Sequence, residues 1–153
     1  MFCGNSAHTL DEKGRVFVSK RFQEGLSRTE DGTLVAYLSR GQDACLYLFS
    51  ESGFQRALAE LNTSVFSGED LRGVKRVFLA NTVRVELDGS GRILIPEKQR
   101  DGAGLGRDIV MVGVGDRAEI WPKAAWEKYE AANLKKLDHI DRVLAGEPTR
   151  TQG

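Results

Sequence analysis

The chain has 153 residues, enough for one domain or two small ones that bury roughly two thirds of the unfolded chain's surface. Its 22 basic residues balance 22 acidic ones, which argues against a uniformly basic nucleic-acid-binding surface but permits a basic stripe opposite an acidic rim. No stretch approaches about 18 consecutive apolar residues, and the N-terminus lacks a signal-peptide pattern, so a cytosolic protein outside the membrane is expected.

The first half alternates short apolar runs with turn residues, which predicts short strands joined by turns. Alternation places Val16 and Val18 on one face of a strand, with Arg15 and Phe17 on the other. Ser50 is expected to cap a helix that runs to about residue 61. Strands are predicted at 7–10, 15–19, 33–38 and 45–49, with a short helix at 20–26.

The middle of the chain is predicted to be helical. Ser67 and Asp70 have the spacing of a capping box, with Asp in place of the usual Glu. A helix is therefore expected over 71–80, and its apolar side would carry Leu71, Val74, Phe78 and Leu79.

The second half repeats this order of elements, with strands predicted at 82–87, 92–95, 109–114 and 119–121. Pro96 is expected to open a short helical segment. Pro122 suits the first position of a last helix, where its missing N–H costs nothing. That helix is predicted to continue to Leu144 and to stop at Gly146, while the tail from Glu147 has the composition of a disordered end.

The cysteines and histidines do not predict a metal or redox site. Cys3 and Cys45 are far apart in the sequence, and in a reducing compartment both are expected as free thiols. His8 and His139 are the only histidines, and neither has a neighbour at metal-ligand spacing. We therefore expect no metal and no cofactor.

A duplicated turn motif is the most informative feature of the sequence. Asp-Glu-Lys-Gly-Arg at 11–15 returns as Asp-Gly-Ser-Gly-Arg at 88–92, and the two aspartates are 88 − 11 = 77 residues apart. Gly14 and Gly91 supply the positive φ that such a turn needs. The aspartate that begins the turn can accept hydrogen bonds from backbone amides two residues further on.

Each turn also presents an arginine beside its aspartate: Arg15 beside Asp11, and Arg92 beside Asp88. A guanidinium held in this way offers a planar fork of donors that suits phosphate oxygens or guanine O6 and N7. The alternative is an ion pair that stabilises each turn and binds nothing. The duplication gives the two interpretations similar weight, because further basic residues lie near each motif in the sequence: Lys13, Lys20 and Arg21 near the first, and Arg84, Lys98 and Arg100 near the second.

Taken together, these segments closely resemble the MraZ family of bacterial transcriptional regulators. The resemblance rests on Met1-Phe2, on 10–15, and on the run Glu-Leu-Asp-Gly-Ser-Gly-Arg-Ile-Leu-Ile-Pro at 86–96. It extends to 110–115 and to Glu119-Ile120-Trp121 before Trp126, and so covers both halves and the helical middle.

The resemblance implies an α+β fold in which two tandem AbrB-like (SpoVT-type, swapped-hairpin) β modules interleave into one β-core with outer helices. It divides the chain into a first module at 1–50, a helical connection at 51–80, a second module at 81–126, and a C-terminal helix and flexible tail at 127–153.

The resemblance also implies a sequence-specific regulator that binds short direct repeats in the promoter of the division and cell-wall gene cluster. Its partners would be double-stranded DNA and further copies of itself in a ring-shaped homo-oligomer, in the cytoplasm and associated with the nucleoid. The DNA-contacting positions carry over to Lys13, Arg15 and Arg92. Asp11 and Asp88 become the residues that orient the arginines, with Gly14 and Gly91 shaping the turns.

The sequence departs from the family pattern at two positions, and neither departure removes an arginine. Ser90 stands where a basic residue would have helped, so the second turn is expected to bind more weakly than the first, and Ser19 occupies the place that matches Pro96. Two other functions stay open. One is an assembly or antitoxin-like protein that binds another protein through the same β-core. The other is an enzyme, which is disfavoured because no nucleophile stands beside the aspartates and the glycines at 102–106 lack the context of a nucleotide loop.

Overall fold

The structure is a computed structural model that describes residues 1–61 and 64–147. It divides into two units, Met1–Pro122 and Lys123–Gly153. Among the helices of the described ranges, none combines the length and the apolarity needed to cross a membrane.

The first unit contains all the described strands and four helices. The strands are β1 Asn5–Thr9, β2 Arg15–Phe17, β3 Ser27–Arg28, β4 Leu34–Arg40, β5 Leu46–Phe49, β6 Val83–Glu86, β7 Arg92–Leu94, β8 Asp108–Gly113 and β9 Ala118–Pro122. The helices are α1 Lys20–Gln23, α2 Glu51–Glu60, α3 Glu69–Ala80 and α4 Glu97–Gly102. The second unit consists of α5 Lys123–Leu137 and α6 Ile140–Leu144.

Strands from the two halves of the sequence are exchanged. The larger antiparallel sheet has the order β1-β8-β9-β5-β4-β3, and β6 pairs with β4 off this path. The first strand of each half therefore joins the hairpin of the other half: β1 pairs with β8, and β6 pairs with β4. The smaller sheet is the antiparallel pair β2–β7, which again takes one strand from each half. This confirms the expected α+β fold with interleaved β modules.

The strand register shows that the offset between equivalent residues of the two copies changes along the chain. Thr9 pairs with Asp108 in one half, and the equivalent Glu86 pairs with Val35 in the other, so the offset falls from 77 to 73 residues. The first copy holds the extra residues in β3 and in the turn where Thr29 bonds to Thr33. The strand β3 was not predicted from the sequence, because it has only two residues.

The core is formed by side chains from both copies. Val16 and Val18 of the first copy, and Ile93 and Ile95 of the second, are each no more than 1% exposed and belong to one hydrophobic cluster. Burying each such side chain contributes on the order of 1.5–3 kcal/mol. The predicted alternation of Val16 and Val18 is therefore confirmed, and folding of either β2 or β7 depends on the other copy.

The two outer helices of the middle differ in their caps. Ser50 Oγ accepts a hydrogen bond from Gly53 N at 3.1 Å, which confirms the predicted cap of α2. The capping box at α3 is wrong: Gly68 is the N-cap, and no side chain caps the helix. The N-cap lies one residue later than the capping box requires. The carbonyl of Ser67 instead accepts a hydrogen bond from the Arg72 guanidinium.

The C-terminal helix is not continuous, contrary to the sequence prediction. α5 ends before Asp138, and His139, at φ −125° and ψ 42°, leaves the helical conformation and caps α6. Gly146 has φ +74° and follows the end of α6, as expected for a helix stop. Pro122 is the last residue of β9 rather than the first of the helix. Disorder was predicted for the tail from Glu147, and from residue 148 onwards this tail lies outside the described residues.

Candidate nucleic-acid interface

The first turn is organised by the side chain of Asp11. Its Oδ1 accepts hydrogen bonds from the backbone amides of Lys13 and Arg15, both at 2.9 Å. Its Oδ2 accepts a hydrogen bond from Arg15 Nε at 2.7 Å. Backbone bonds from Asp11 N to Arg15 O and from Gly14 N to Asp11 O close the turn. One carboxylate therefore fixes both the turn and the arginine.

The second turn reproduces this arrangement. Asp88 Oδ1 accepts from the amides of Ser90 and Arg92 at 2.9 and 3.0 Å, and Oδ2 accepts from Arg92 Nε at 3.0 Å. In both turns the carboxylate occupies the Nε edge of the guanidinium. Within the described residues the terminal nitrogens of Arg15 make no hydrogen bond, and Arg92 Nη1 lies 3.9 Å from Asp11 Oδ2. The donor fork of Arg15 thus remains available to a ligand, whereas Arg92 also makes this long ion pair with the aspartate of the first turn.

The β2–β7 pairing brings the two turns together about a local twofold axis. The paired residues are Arg15–Leu94, Val16–Ile93 and Phe17–Arg92. Two equivalent hydrogen bonds extend the ribbon, from Val18 N to Gly91 O and from Ile95 N to Gly14 O, both 2.9 Å long. The motifs 77 residues apart therefore form one two-stranded ribbon with an arginine at each end.

The outward face of this ribbon is partly apolar. The Arg15 and Arg92 side chains are each 35% exposed, while Phe17 is 38% and Leu94 is 53% exposed. Alternation correctly placed Arg15 and Phe17 on one face. It did not indicate that Leu94 would lie opposite Arg15 and Phe17 opposite Arg92, because that depends on pairing across the halves.

The hydrogen bonds lower the pKa of both aspartates. The largest cause is the backbone amide of Arg15 for Asp11 and that of Arg92 for Asp88, with the guanidinium adding a further lowering. Because the folded-state pKa lies below the unfolded one, the ionised carboxylates stabilise the folded protein above the unfolded-state pKa. This stabilisation is lost as the pH falls through the lowered folded-state pKa.

A carboxyl-carbon NMR titration tests the dominance of the backbone amide. In the Arg15→Ala variant the pKa of Asp11 should rise but stay below the ordinary value of 3.8, because the amide of residue 15 is still present. A return of the Asp11 pKa to 3.8 in this variant would show that the guanidinium is the main cause. Asp88 serves as the internal control, because its own turn is unchanged.

Gly14 is required by conformation and by space. Its φ is +86°, and a Cβ built on it would lie 2.9 Å from Ile95 O, a backbone atom that cannot move aside easily. At Gly91, with φ +76°, the nearest atom is the flexible end of Gln23. Gly14→Ala should therefore destabilise the fold by about 1–3 kcal/mol, and more than Gly91→Ala does. Thermal melts with Gly89→Ala as a control check this, and equal losses at Gly14 and Gly91 would contradict it.

The basic residues near the turns are not arranged as their sequence positions suggested. Lys13 is exposed at the first turn, where the second turn has Ser90. Arg100 was assigned to the second turn but lies against the first: its Nε donates to Ile95 O at 3.0 Å, and Gly14 is its neighbour. The reason is the exchange of β7, which carries the residues after it to the opposite turn. Arg84 pairs with Glu86 at 3.0 Å.

Other chemistry has little support in the described part of the chain. Residues 1–61 and 64–147 hold no group of three or more His, Cys, Asp or Glu side chains suited to a metal ion. Cys3 and Cys45 are both free thiols, as expected. Desolvation by burial raises the pKa of Cys45 to about 12, which makes it a poor nucleophile.

The strand exchange and the two acid-anchored arginine turns define a duplicated α+β protein with swapped β-hairpins. A family model described as "MraZ protein, putative antitoxin-like" matches residues 1–77 and again 78–144. The chain belongs to the MraZ family.

Curated relatives match over nearly the whole chain, and each is named "Transcriptional regulator MraZ". The protein of Acetivibrio thermocellus is 39% identical over 145 residues, which are 95% of this chain and 97% of the relative. That of Arthrobacter sp. is 38% identical over 146 residues, covering 95% and 99%. That of Paenarthrobacter aurescens is 40% identical over 129 residues, covering 84% and 86%. These are names of regulators and not of enzymes.

Proposed function

We propose that this protein is a sequence-specific DNA-binding transcriptional regulator that uses its paired turns to read short direct repeats. The proposed target is the promoter of the division and cell-wall gene cluster, and the proposed contact residues are Lys13, Arg15 and Arg92. The proposed location is the cytoplasm, in association with the nucleoid. The observation that carries the proposal is the β2–β7 ribbon, which presents two preorganised arginines on one surface.

The shape and chemistry of the ribbon suit the major groove of B-form DNA. That groove admits a two-stranded β-ribbon, and an arginine fork can donate two hydrogen bonds to guanine O6 and N7. Anchoring Arg15 and Arg92 by Nε reduces the side-chain entropy lost on binding, because each guanidinium is already oriented. The exposed Phe17 and Leu94 supply apolar contact area of the kind that meets thymine methyl groups.

A ring of copies would reconcile this local site with the balanced charge of the chain. One ribbon touches few phosphates and binds weakly at physiological salt. Several ribbons that engage consecutive repeats raise the effective concentration of each next contact, and avidity increases by about 10²–10⁴. Basic turns on one face of a ring leave the acidic residues to the other faces.

The proposed contact between copies involves α3. Four of its side chains are exposed although apolar: Leu71 at 41%, Val74 at 54%, Val77 at 60% and Leu79 at 39%. Beside them opens a groove of about 730 Å³ that is also lined by Tyr47 and Phe49. An exposed apolar surface of this kind is typical of a subunit contact, and we assign it to a second copy of the chain.

Equilibrium binding to a labelled duplex tests the proposed function. The duplex carries the sequence upstream of the protein's own gene cluster, and a scrambled duplex of equal composition is the control. We expect tighter binding to the native duplex, with an affinity that falls steeply between about 50 and 200 mM salt. Equal affinity for both duplexes would contradict sequence-specific reading. Lack of binding to either would favour the antitoxin-like alternative, in which the β-core binds another protein.

A further inference from the structure

We propose that Arg100 and Arg107 form a phosphate-binding groove beside the first turn and thereby orient the ribbon on DNA. This inference rests on the proposed function and deepens it. Neither arginine belongs to a turn motif. Both come from the second half of the sequence, and the strand exchange places them next to the first turn.

Arg100 is held against the first turn by its own hydrogen bond. Its Nε donates to Ile95 O, and the amide of Ile95 in turn bonds to Gly14 O at 2.9 Å. A Cβ on Gly14 would lie 2.8 Å from Arg100 Nε, so the guanidinium lies directly on the turn. In the part of the chain that the structure describes, the terminal nitrogens of Arg100 have no carboxylate partner. Like Arg15, Arg100 is anchored through Nε with its donor fork free.

Arg107 lines the same groove as Arg100. Its carbonyl accepts from Leu10 N at 2.8 Å, which fixes the loop before β8 next to the first turn. The groove has a volume of about 580 Å³, and its lining includes Asp11, Glu12, Arg100 and Arg107. Asp11 already accepts three hydrogen bonds within its turn. Besides Asp11, the groove therefore has two arginines and one carboxylate, that of Glu12. This excess of positive charge favours the binding of an anion.

The equivalent positions at the second turn lack these charges. Gln23 is the local counterpart of Arg100: its Nε2 donates to Val18 O at 2.7 Å, and it lies against Gly91. Leu34 is the counterpart of Arg107, because its carbonyl accepts from Leu87 N. At these positions the backbone follows the local twofold axis, whereas the identity of the side chains differs between the two turns.

This difference in charge between the two turns makes the two ends of the ribbon distinguishable to DNA. A symmetric ribbon would bind a site equally well in either orientation. Here the first turn carries Lys13, Arg100 and Arg107 beside its motif arginine, while Ser90, Gln23 and Leu34 stand at the equivalent places of the second turn. The more basic end should therefore take the side of the site with more phosphate contacts. Copies that all bind in one orientation require repeats that all run in one direction, which matches direct rather than inverted repeats.

Exchange of the two equivalent residues tests the proposal. The variants are Arg100→Gln, Gln23→Arg, the double exchange, and Arg100→Lys as a charge-conserving control. Arg100→Gln should weaken binding to native and scrambled duplexes alike and reduce the slope of log affinity against log salt by about 0.9 per engaged subunit. Arg100→Lys should restore most of that slope. An unchanged slope in Arg100→Gln, with binding of the unmodified protein intact, would overturn this inference but leave the proposed function standing.

The direction of binding is measured separately. An iron chelate attached at Ser90→Cys, in a Cys3→Ser background, cleaves the DNA strand next to the second turn. We expect cleavage on one side of each repeat, and cleavage on both sides or the opposite side in the double exchange. One-sided cleavage that the double exchange leaves unaltered would show that Arg100 does not set the orientation. If the Arg100→Gln variant does not fold, the Gln23→Arg variant tests the proposal by itself. The proposal requires that Gln23→Arg steepen the dependence of log affinity on log salt.

Discussion

Replacing Arg15 by alanine is expected to weaken binding to the native duplex more than replacing Arg92 does. Each change removes a fork of donors, and losing one bidentate base contact weakens binding by roughly 5- to 150-fold per repeat. The loss should be larger at Arg15, because Lys13 adds charge at the first turn and Ser90 adds none at the second. Fluorescence anisotropy with native and scrambled duplexes measures both losses.

Neither substitution should disturb the fold. Both arginines sit in ion pairs that are about one third exposed, and such pairs contribute little stability. Arg56→Ala is the matched control, because Arg56 is an exposed arginine of α2 and belongs to neither turn. Equal losses at the two turns, or a larger loss at Arg92, would contradict the ranking. A fall of many degrees in the melting temperature would favour a purely structural role for the turns.

Placing a charge on α3 is expected to separate the subunits and remove most of the avidity. Val77→Asp puts a carboxylate on the exposed apolar face of that helix, where burial against a second copy would be costly. Binding to a duplex with several repeats should weaken by about 10²–10⁴, while binding to a single repeat should change little. Light scattering after size exclusion gives the mass, and the same duplexes give the affinity.

The control for this variant is Val114→Asp, the same change at a residue that is 41% exposed and lies outside α3. It should leave both the mass and the affinity as they are. A Val77→Asp protein that keeps the mass of the unmodified protein would exclude α3 as the contact between copies. A protein that loses mass but binds several repeats as tightly as before would contradict the role of avidity.

The parts of the site that depend on local chemistry could be predicted from the sequence. Aspartate, glycine and arginine at fixed spacing specify each turn, and period-two alternation assigns Val16 to the core and Arg15 to the surface. The family resemblance added that the two copies interleave. Local spacing also explains why the cap at Ser50 was predicted correctly.

The features that were predicted wrongly or not at all depend mostly on contacts between distant parts of the chain. Nothing in the sequence near Arg100 shows that β7 crosses to the first half, so Arg100 was assigned to the wrong turn. The same holds for Phe17 and Leu94, which share one face of the ribbon only because of the β2–β7 register. The break at His139 was missed because Leu137, Ile140 and Leu144 keep helical spacing across it, and such spacing is insensitive to one or two nonhelical residues.

The most direct test of the central claim measures the coupling between an arginine and a base. Each guanine of a repeat is replaced in turn by 7-deazaguanine, which lacks the N7 acceptor, and binding is compared for the unmodified protein and for Arg15→Ala. The account predicts at least one guanine per repeat whose replacement weakens binding of the unmodified protein but weakens Arg15→Ala no further. If every replacement weakens the two proteins by equal factors, Arg15 does not read a guanine, and the paired turns do not provide the specificity.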